Sequence, residues 1–222
     1  ASEIVAAALQ DYGRAVVVGS RQTFGKGTVQ NMLDFDRAAG PYYASQQPLG
    51  AFKLTIQKYY RVNGGTTQLD GVLSDVVVPS AFQYVPYGER ELDFALASDR
   101  IAPSVFKAQD ASPKRRAAIA ASQARVNDKA EFKLVNEYSN FLRDEQSKTG
   151  LPLAWVDFAA DRQADAEAIK RFDLSGLRTD TTVAKMITAT KPEKAEEDRR
   201  WLRAVRRDQT VVESMRLLND LQ

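Results

Sequence analysis

Hydrophobic positions in the first hundred residues form short apolar runs and alternating stretches, which glycine-rich turns separate. A small, alanine-rich segment at 2–10 predicts a helix, and Gly13 is placed to end it. The continuous apolar run at 15–19 predicts a strand buried on both faces. Further strands are predicted at 28–35, 51–62, 66–69 and 76–78, with a turn at Asn63-Gly64-Gly65.

Apolar positions in the second half recur with a helical period. Helices are predicted at 113–123 and 128–146, and Gly150 ends the second. A long helix is predicted from Pro192 onward, with five apolar residues on one side. Packing against its own domain is the commoner use of such a side, and binding of a partner is the alternative. The five residues are Trp201, Val205, Val212, Met215 and Leu218.

The distribution of glycine also separates the first half of the chain, with its predicted strands, from the second half, with its predicted helices. Ten of the twelve glycines lie in residues 1–88, and the other two are Gly150 and Gly176. A glycine-punctuated half with strands, followed by a charge-rich helical half, predicts an α+β fold. We place a mixed βα layered core at 1–100 and a mainly helical carboxy-terminal domain at 101–222.

The chain contains no histidine and no cysteine. It therefore supplies no Ser–His or Cys–His pair, no imidazole metal ligand, no disulfide and no thiolate. A hydrolase of this composition must take its base from Lys, Asp, Glu or Tyr. The absence of cysteine fits either redox compartment.

The net charge of +2 is nearly balanced and gives no strong case for nucleic-acid binding. Basic clusters at 114–116 and 199–207 occur among acidic residues, which favours solvated helix faces. The sequence has no run of about 18 apolar residues that would span a membrane. Because it opens inside a predicted helix start and without Met, we expect the chain to be a segment of a longer protein.

The octet at 23–30, Thr-Phe-Gly-Lys-Gly-Thr-Val-Gln, is the most informative motif. A phosphate-binding loop of the form G-x-x-x-x-G-K-[ST] does not fit, because Ser20 replaces its first glycine and Gly27 occupies its Ser/Thr position. A catalytic lysine is the second interpretation, since an even offset puts Gln30 on the same side of an extended strand as Lys26. An ordinary glycine turn with an exposed lysine is the alternative, and the octet alone favours it.

Two blocks of sequence resemble the carboxy-terminal processing (tail-specific) proteases, most strongly their bacterial periplasmic branch, called Prc or Tsp. The first block covers 1–19 and the octet at 23–30, and the second covers 54–68 and Gly71-Val72. Both blocks occur in the order typical of the family, which makes the match specific. Residues 101–222 resemble only loosely the helical carboxy-terminal region of that branch.

In this family a serine is the nucleophile, a lysine is the base, and a glutamine four residues after the lysine assists. The resemblance assigns the last two roles to Lys26 and Gln30. The serine opens a Ser-Ala-Ser-Glu motif whose last three positions match Ala1, Ser2 and Glu3, so the nucleophile is expected directly before Ala1. Ser2 is interpreted as structural and is a lesser candidate for the nucleophile. The resemblance places half of the oxyanion hole at the Ala1 N–H, with a second donor upstream.

The sequence departs from the family pattern at two positions. The loop at 19–23 is one residue longer than in the family, which changes the spacing between serine and lysine. Ser74 stands where a proline usually precedes Asp75. Residues 36–49 form an additional loop without an assignment.

The resemblance implies that residues 1–100 are the carboxy-terminal part of a Ser–Lys protease core. The intact protein is then a periplasmic serine endopeptidase that recognises apolar protein carboxy-termini, with a PDZ-like domain upstream and neither metal nor cofactor. An adaptor protein is a further partner that the resemblance allows. The isolated chain is expected to be inactive because it lacks the nucleophile. The alternative is a non-catalytic protein-binding module or pseudoprotease that docks partners through the helical domain.

Overall fold

A computed structural model describes residues 1–107, 112–172 and 194–222. Helices and short strands occur together, and helices follow in the second half, which confirms the predicted α+β fold. Two 3-10 helices lie at Pro41–Gln46 and Glu89–Glu91. The other elements are α1 (Ser2–Asp11), β1 (Val18–Gly19), β2 (Thr28–Asp34), α2 (Phe35–Ala39), β3 (Ala51–Lys58), β4 (Val76–Val77), α3 (Pro113–Asp128), α4 (Ala130–Gln146), α5 (Trp155–Lys170), α6 (Ala195–Arg207) and α7 (Gln209–Leu221).

The chain folds as two compact units whose segments alternate along the sequence. The first unit contains Ala1–Ala15, Gln22–Leu73 and the described residues from Tyr87 onward to 107. The second, which we name the helical unit, contains Val16–Arg21, Ser74–Pro86 and the described residues from 112 onward. These units are defined by packing, and the domain boundary after residue 100 stays a prediction.

The first unit begins with α1, which confirms the helix predicted at 2–10. Gly13 follows the helix with a φ of 67°, a left-handed conformation that commonly ends helices. Arg61 ties the end of this helix to the rest of the unit, because its Nη2 and Nε donate to the two oxygens of Asp11 at 2.6 and 2.9 Å.

Strands β2 and β3 form an antiparallel ribbon, which confirms two of the predicted strands. β3 ends at Lys58, four residues before the predicted end. A bulge after Val29 shifts the register, so that Gln30 lies directly opposite Thr55.

The strand predicted at 66–69 is wrong. The turn before it forms, with the Gly64 N–H donating to Arg61 O at 2.9 Å. Only Thr66 then makes a strand-like bridge, and Leu69 has a φ of 69°, which lies outside the strand region. Instead of pairing as a strand, the side chains of Thr67 and Gln68 bond to the backbone of Lys26 and Gly27.

Residues 36–49, which have no assignment from the sequence, contain most of α2 and one of the 3-10 helices. The Asp34 carboxylate caps α2 by accepting from the N–H groups of Asp36 and Arg37 at 2.9 and 3.3 Å. This segment extends beyond the β2–β3 ribbon and is mostly exposed.

The core of the helical unit forms around β1 and β4, a parallel pair in which Val18 lies opposite Val76. The strand predicted at 76–78 is confirmed, whereas the one predicted at 15–19 contains only two residues. Its burial on both faces is also wrong: Val18 is only partly buried, and the Val17 N–H donates to the Asp75 carboxylate at 2.7 Å. The buried core consists of Val76, Val78, Ala118, Val126, Phe132 and Leu217.

Helices α3 and α4 confirm the two helices predicted at 113–123 and 128–146. Ser112 caps α3, because its hydroxyl oxygen accepts from the Arg115 N–H at 3.1 Å.

Helix α5 is not among the helices predicted from the sequence, and the reason is physical. None of its sixteen residues is buried, so its sequence contains no apolar face that would indicate a helix.

The single long helix predicted from Pro192 is wrong, and Pro192 itself lies outside the described residues. Two helices, α6 and α7, occupy the described part of this region. Asp208, with a ψ of 107°, ends α6 and caps α7 by accepting from the Thr210 N–H at 2.8 Å. The apolar side is also divided: Val212 is 4% exposed, whereas Trp201 is 61% exposed.

Candidate active site

Lys26 lies in the extended segment that leads into β2, between two buried glycines. Its Nζ donates to Gln30 Oε1 at 2.8 Å, so the structure brings together the two side chains that the spacing predicted to share a side. Gln30 Nε2 in turn lies 3.5 Å from Thr55 Oγ1. Within the described part of the chain, Lys26 Nζ forms no ion pair, and its partner is a neutral amide.

Glu3, in the first turn of α1, holds the backbone of the loop that carries Lys26. One carboxylate oxygen accepts from the Thr23 hydroxyl and from the Gly25 N–H, the latter at 2.7 Å. The other oxygen accepts from the Lys26 N–H at 2.9 Å. An acidic residue in a first helical turn is common because it complements the helix dipole, so the sequence alone gave no sign of this contact.

Thr23 extends this network to the second block of the motif. Its hydroxyl oxygen accepts from the Val72 N–H at 2.8 Å, and its own N–H donates to Val72 O at 3.1 Å. Gly71 has a φ of 65°, and a Cβ there would lie 2.5 Å from Thr23 O. The Gly71-Val72 pair therefore supports the loop through close backbone approach, which only glycine permits at position 71.

Ala1 and Ser2 are exposed at the beginning of α1. Ala1 is the N-cap residue, and its carbonyl accepts from the Val5 N–H at 3.2 Å. Because Glu3 follows two residues later and binds the Lys26 N–H, the first turn of α1 lies against the lysine loop. The roles expected for Ala1 and for the residue before it stay predictions.

Tyr59 provides a further link between α1 and the lysine loop. Its N–H donates to Gly27 O at 2.8 Å, and its hydroxyl donates to Ile4 O at 3.4 Å. Burial, together with the nearby Asp11 carboxylate, raises the pKa of Tyr59 above its usual value, so the phenol remains a neutral donor.

Within the helical unit, Ser74 donates two hydrogen bonds to the segment before it, at a position where the resemblance leads us to expect proline. The Ser74 N–H donates to Arg21 O at 3.1 Å, a bond that the usual proline cannot make. The Ser74 hydroxyl donates to Ser20 O at 2.6 Å. Serine at position 74 thus binds Ser20 and Arg21 through two donors that a proline would lack.

Across 1–107, 112–172 and 194–222, no cluster of three or more acidic side chains is arranged to hold a metal ion. Over the same residues, no helix is both long enough and apolar enough to cross a membrane.

Replacing Glu3 with alanine is expected to release the lysine loop. The substitution removes the acceptor for two loop amides, each worth about 1.5–3 kcal/mol when the acceptor is charged. In the full-length protein, hydrogen exchange of the segment containing the Gly25 and Lys26 amides should accelerate at least about tenfold. Glu91→Ala, in the same unit, is the control and should leave this exchange unchanged. Unchanged protection in Glu3→Ala would contradict the role of Glu3.

Comparison with protein families identifies the class to which this geometry belongs. Residues 1–78 match the model of Peptidase family S41. Residues 82–222 match the model of the C-terminal domain of tail specific protease. The second match covers more than half of the chain, and the chain therefore belongs to the tail-specific protease family.

Curated relatives agree with this family. The chain is 50% identical over 101 residues to the Tail-specific protease of Haemophilus influenzae, covering 46% of this chain and 14% of the relative. It is 40% identical over 98 residues to the Carboxy-terminal-processing protease of Bartonella bacilliformis, covering 41% of this chain and 20% of the relative. The chain thus spans about a seventh to a fifth of the length of these relatives.

Proposed function

We propose that the intact protein is a serine endopeptidase of the tail-specific type, with a Ser–Lys dyad in which Lys26 is the base. The observation that carries this proposal is the 2.8 Å hydrogen bond from Lys26 Nζ to Gln30 Oε1 in a chain of a peptidase family. The absence of histidine from the chain supports it further, because lysine is then one of the few bases available here.

In the proposed mechanism, Lys26 Nζ removes the proton from a serine hydroxyl directly before Ala1. The serine oxygen attacks the peptide carbonyl carbon, and the oxyanion is held by the Ala1 N–H and an upstream donor. The lysine then gives its proton to the leaving amine, and water hydrolyses the acyl-enzyme with the same lysine as base. Gln30 orients Nζ through the hydrogen bond to its Oε1.

The proposed substrates are proteins with apolar carboxy-termini, selected by a PDZ-like domain upstream of this chain. A periplasmic location and an adaptor protein as partner belong to the same proposal. The support comes from the resemblance of the two sequence blocks and from relatives named tail-specific and carboxy-terminal-processing proteases.

Active-site labelling of the full-length protein tests the position of the nucleophile. A fluorophosphonate reacts with activated serines, so we expect one adduct, on the residue directly before Ala1. Peptide mapping by mass spectrometry locates the adduct. Denatured protein is the control, since an unactivated serine should not react.

Two results would change the assignment. An adduct on Ser2 would transfer the nucleophile to that residue. No adduct on protein that is folded and binds its partners would favour the alternative, a non-catalytic protein-binding module that uses the helical domain for docking.

A further inference from the structure

Residues 67–69 bond to the backbone of all three residues of the Gly25-Lys26-Gly27 loop. The Leu69 N–H donates to Gly25 O at 2.8 Å, and the Thr67 hydroxyl lies 3.4 Å from Lys26 O. Gln68 completes the set, since its Oε1 accepts from the Gly27 N–H at 2.8 Å. These residues belong to the segment predicted as a strand. Their bonds to Lys26 and Gly27 are made by side chains and not by the backbone pairing of a strand.

Gln68 is fully buried, and its hydrogen-bond neighbours define the orientation of its amide. Its Nε2 donates to Leu96 O at 2.9 Å and lies 3.5 Å from a carboxylate oxygen of Glu89. Because both of these neighbours are acceptors, the amide nitrogen must face them. Oε1 is thereby directed at the Gly27 N–H.

The approach between Gln68 and Gly27 leaves no space for a side chain. A Cβ at position 27 would lie 2.5 Å from Gln68 N and 2.8 Å from Gln68 Cβ. Leu69 next to it has a φ of 69°, an unfavourable conformation for leucine that persists only where surrounding contacts enforce it. Arg90 is such a contact, since its Nε and Nη2 donate to Leu69 O at 3.1 and 2.9 Å.

Gly27 is also the point from which β2 begins, and its carbonyl accepts from the Tyr59 N–H at 2.8 Å. Its N–H and its C=O are therefore both fixed, the first by a buried side chain. Lys26 precedes it and Gln30 follows three residues later, so the orientation of this peptide determines how Nζ meets the Gln30 oxygen.

We propose that Gln68 is a positioning residue for the lysine base, acting through the Gly27 N–H. This inference rests on the proposed function, since it assumes that Lys26 is the base. Gln68 does not reach Nζ, and its effect is on the geometry of proton transfer. Loss of its hydrogen bond should therefore lower kcat and leave substrate binding largely intact.

The test uses the full-length protein and a soluble protein substrate with an apolar carboxy-terminal tail. Gln68→Leu keeps the approximate size of the side chain and removes all of its side-chain hydrogen bonds. We expect kcat to fall about 30-fold, within the range that small misplacements cost, and KM to change less than about twofold. Asp99→Asn, which weakens hydrogen bonds elsewhere in the same unit, is the matched control and should retain wild-type kcat.

Gln68→Glu provides a readout that remains informative if Gln68→Leu folds poorly. A protonated carboxyl still offers one O–H donor beside an acceptor oxygen, whereas the ionised form has only acceptors to face Glu89 and Leu96 O. We therefore compare the ratio of Gln68→Glu kcat to wild-type kcat at two pH values. This ratio should be at least about fivefold higher at pH 5.5 than at pH 8.5. If Gln68→Leu folds, the ratio of its kcat to wild-type kcat should be the same at pH 5.5 and at pH 8.5.

Failure of this inference is distinguishable from failure of the proposed function. Lys26→Ala is measured in parallel, and wild-type cleavage by that variant would overturn the proposed function itself. If Lys26→Ala is inactive while folded Gln68→Leu keeps wild-type kcat, only the role of Gln68 is overturned. Two other results would overturn the role of Gln68. One is a ratio of Gln68→Glu kcat to wild-type kcat that does not change with pH. The other is a loss of kcat in Asp99→Asn as large as the loss in Gln68→Leu.

Discussion

Cleavage by the full-length protein is expected to fall at least about 10³-fold when Lys26 is replaced by alanine. The variant removes the proposed base, and Gln30 Oε1 loses the Nζ that lies 2.8 Å away. Among these 222 residues there is no histidine. The measurement is kcat/KM for a protein substrate with an apolar carboxy-terminal tail.

The matched control for this variant is Lys107→Ala, which removes an exposed lysine from the same unit. It should cleave at the wild-type rate. The loop backbone in Lys26→Ala should be unaffected, because Glu3 binds the N–H of residue 26 and not its side chain. Wild-type cleavage by Lys26→Ala, with the protein folded, would exclude Lys26 as the base.

The lysine–glutamine contact could be predicted because it depends on local geometry. A regular extended segment places residues four apart on one side, and the two side chains are long enough to meet. The contact forms although a bulge after Val29 interrupts that regularity, a feature that the spacing did not predict. The residues that support the lysine could not be predicted in this way. Glu3, Gly71 and Gln68 lie 23, 45 and 42 positions from Lys26, and only the folded backbone brings them to the loop.

The fold shows the same division between local and distant causes. α3 and α4 could be predicted because helical spacing of apolar residues is a local pattern. α5 could not, since none of its side chains is buried. The break between α6 and α7 at Asp208 could not be predicted either. It depends on the Asp208 side chain capping α7, and one aspartate among many charged residues does not indicate a cap.

A partly buried ion-pair network joins α3 to α7 in the helical unit. Arg125 Nε donates to Glu213 Oε1 at 2.8 Å, and its Nη2 donates to Asp220 at 2.8 Å. The Glu213 side chain is fully buried, and its Oε1 also accepts from the Ser122 hydroxyl at 2.8 Å. Its Oε2 has no hydrogen-bond partner among the described residues. Glu213 therefore depends on Arg125 for its counter-charge.

Replacing Arg125 with alanine should destabilise the helical unit by about 3 kcal/mol. This is the low end of the range for breaking a buried pair, since the arginine side chain is itself 32% exposed. Hydrogen exchange of the α3 and α7 amides in the full-length protein reports the free energy of opening. Arg162→Ala removes an exposed pair on α5 and serves as control, with an expected loss of at most about 0.5 kcal/mol.

A double variant separates the burial of an unpaired charge from the loss of packing. Arg125→Met with Glu213→Leu removes both charges and fills similar volume, so most of the stability lost in Arg125→Ala should return, to within about 1 kcal/mol of wild type. If the double variant is as unstable as Arg125→Ala, then the lost packing of the arginine methylene groups accounts for most of the destabilisation. If Arg125→Ala opens no more readily than Arg162→Ala, the buried carboxylate does not depend on Arg125.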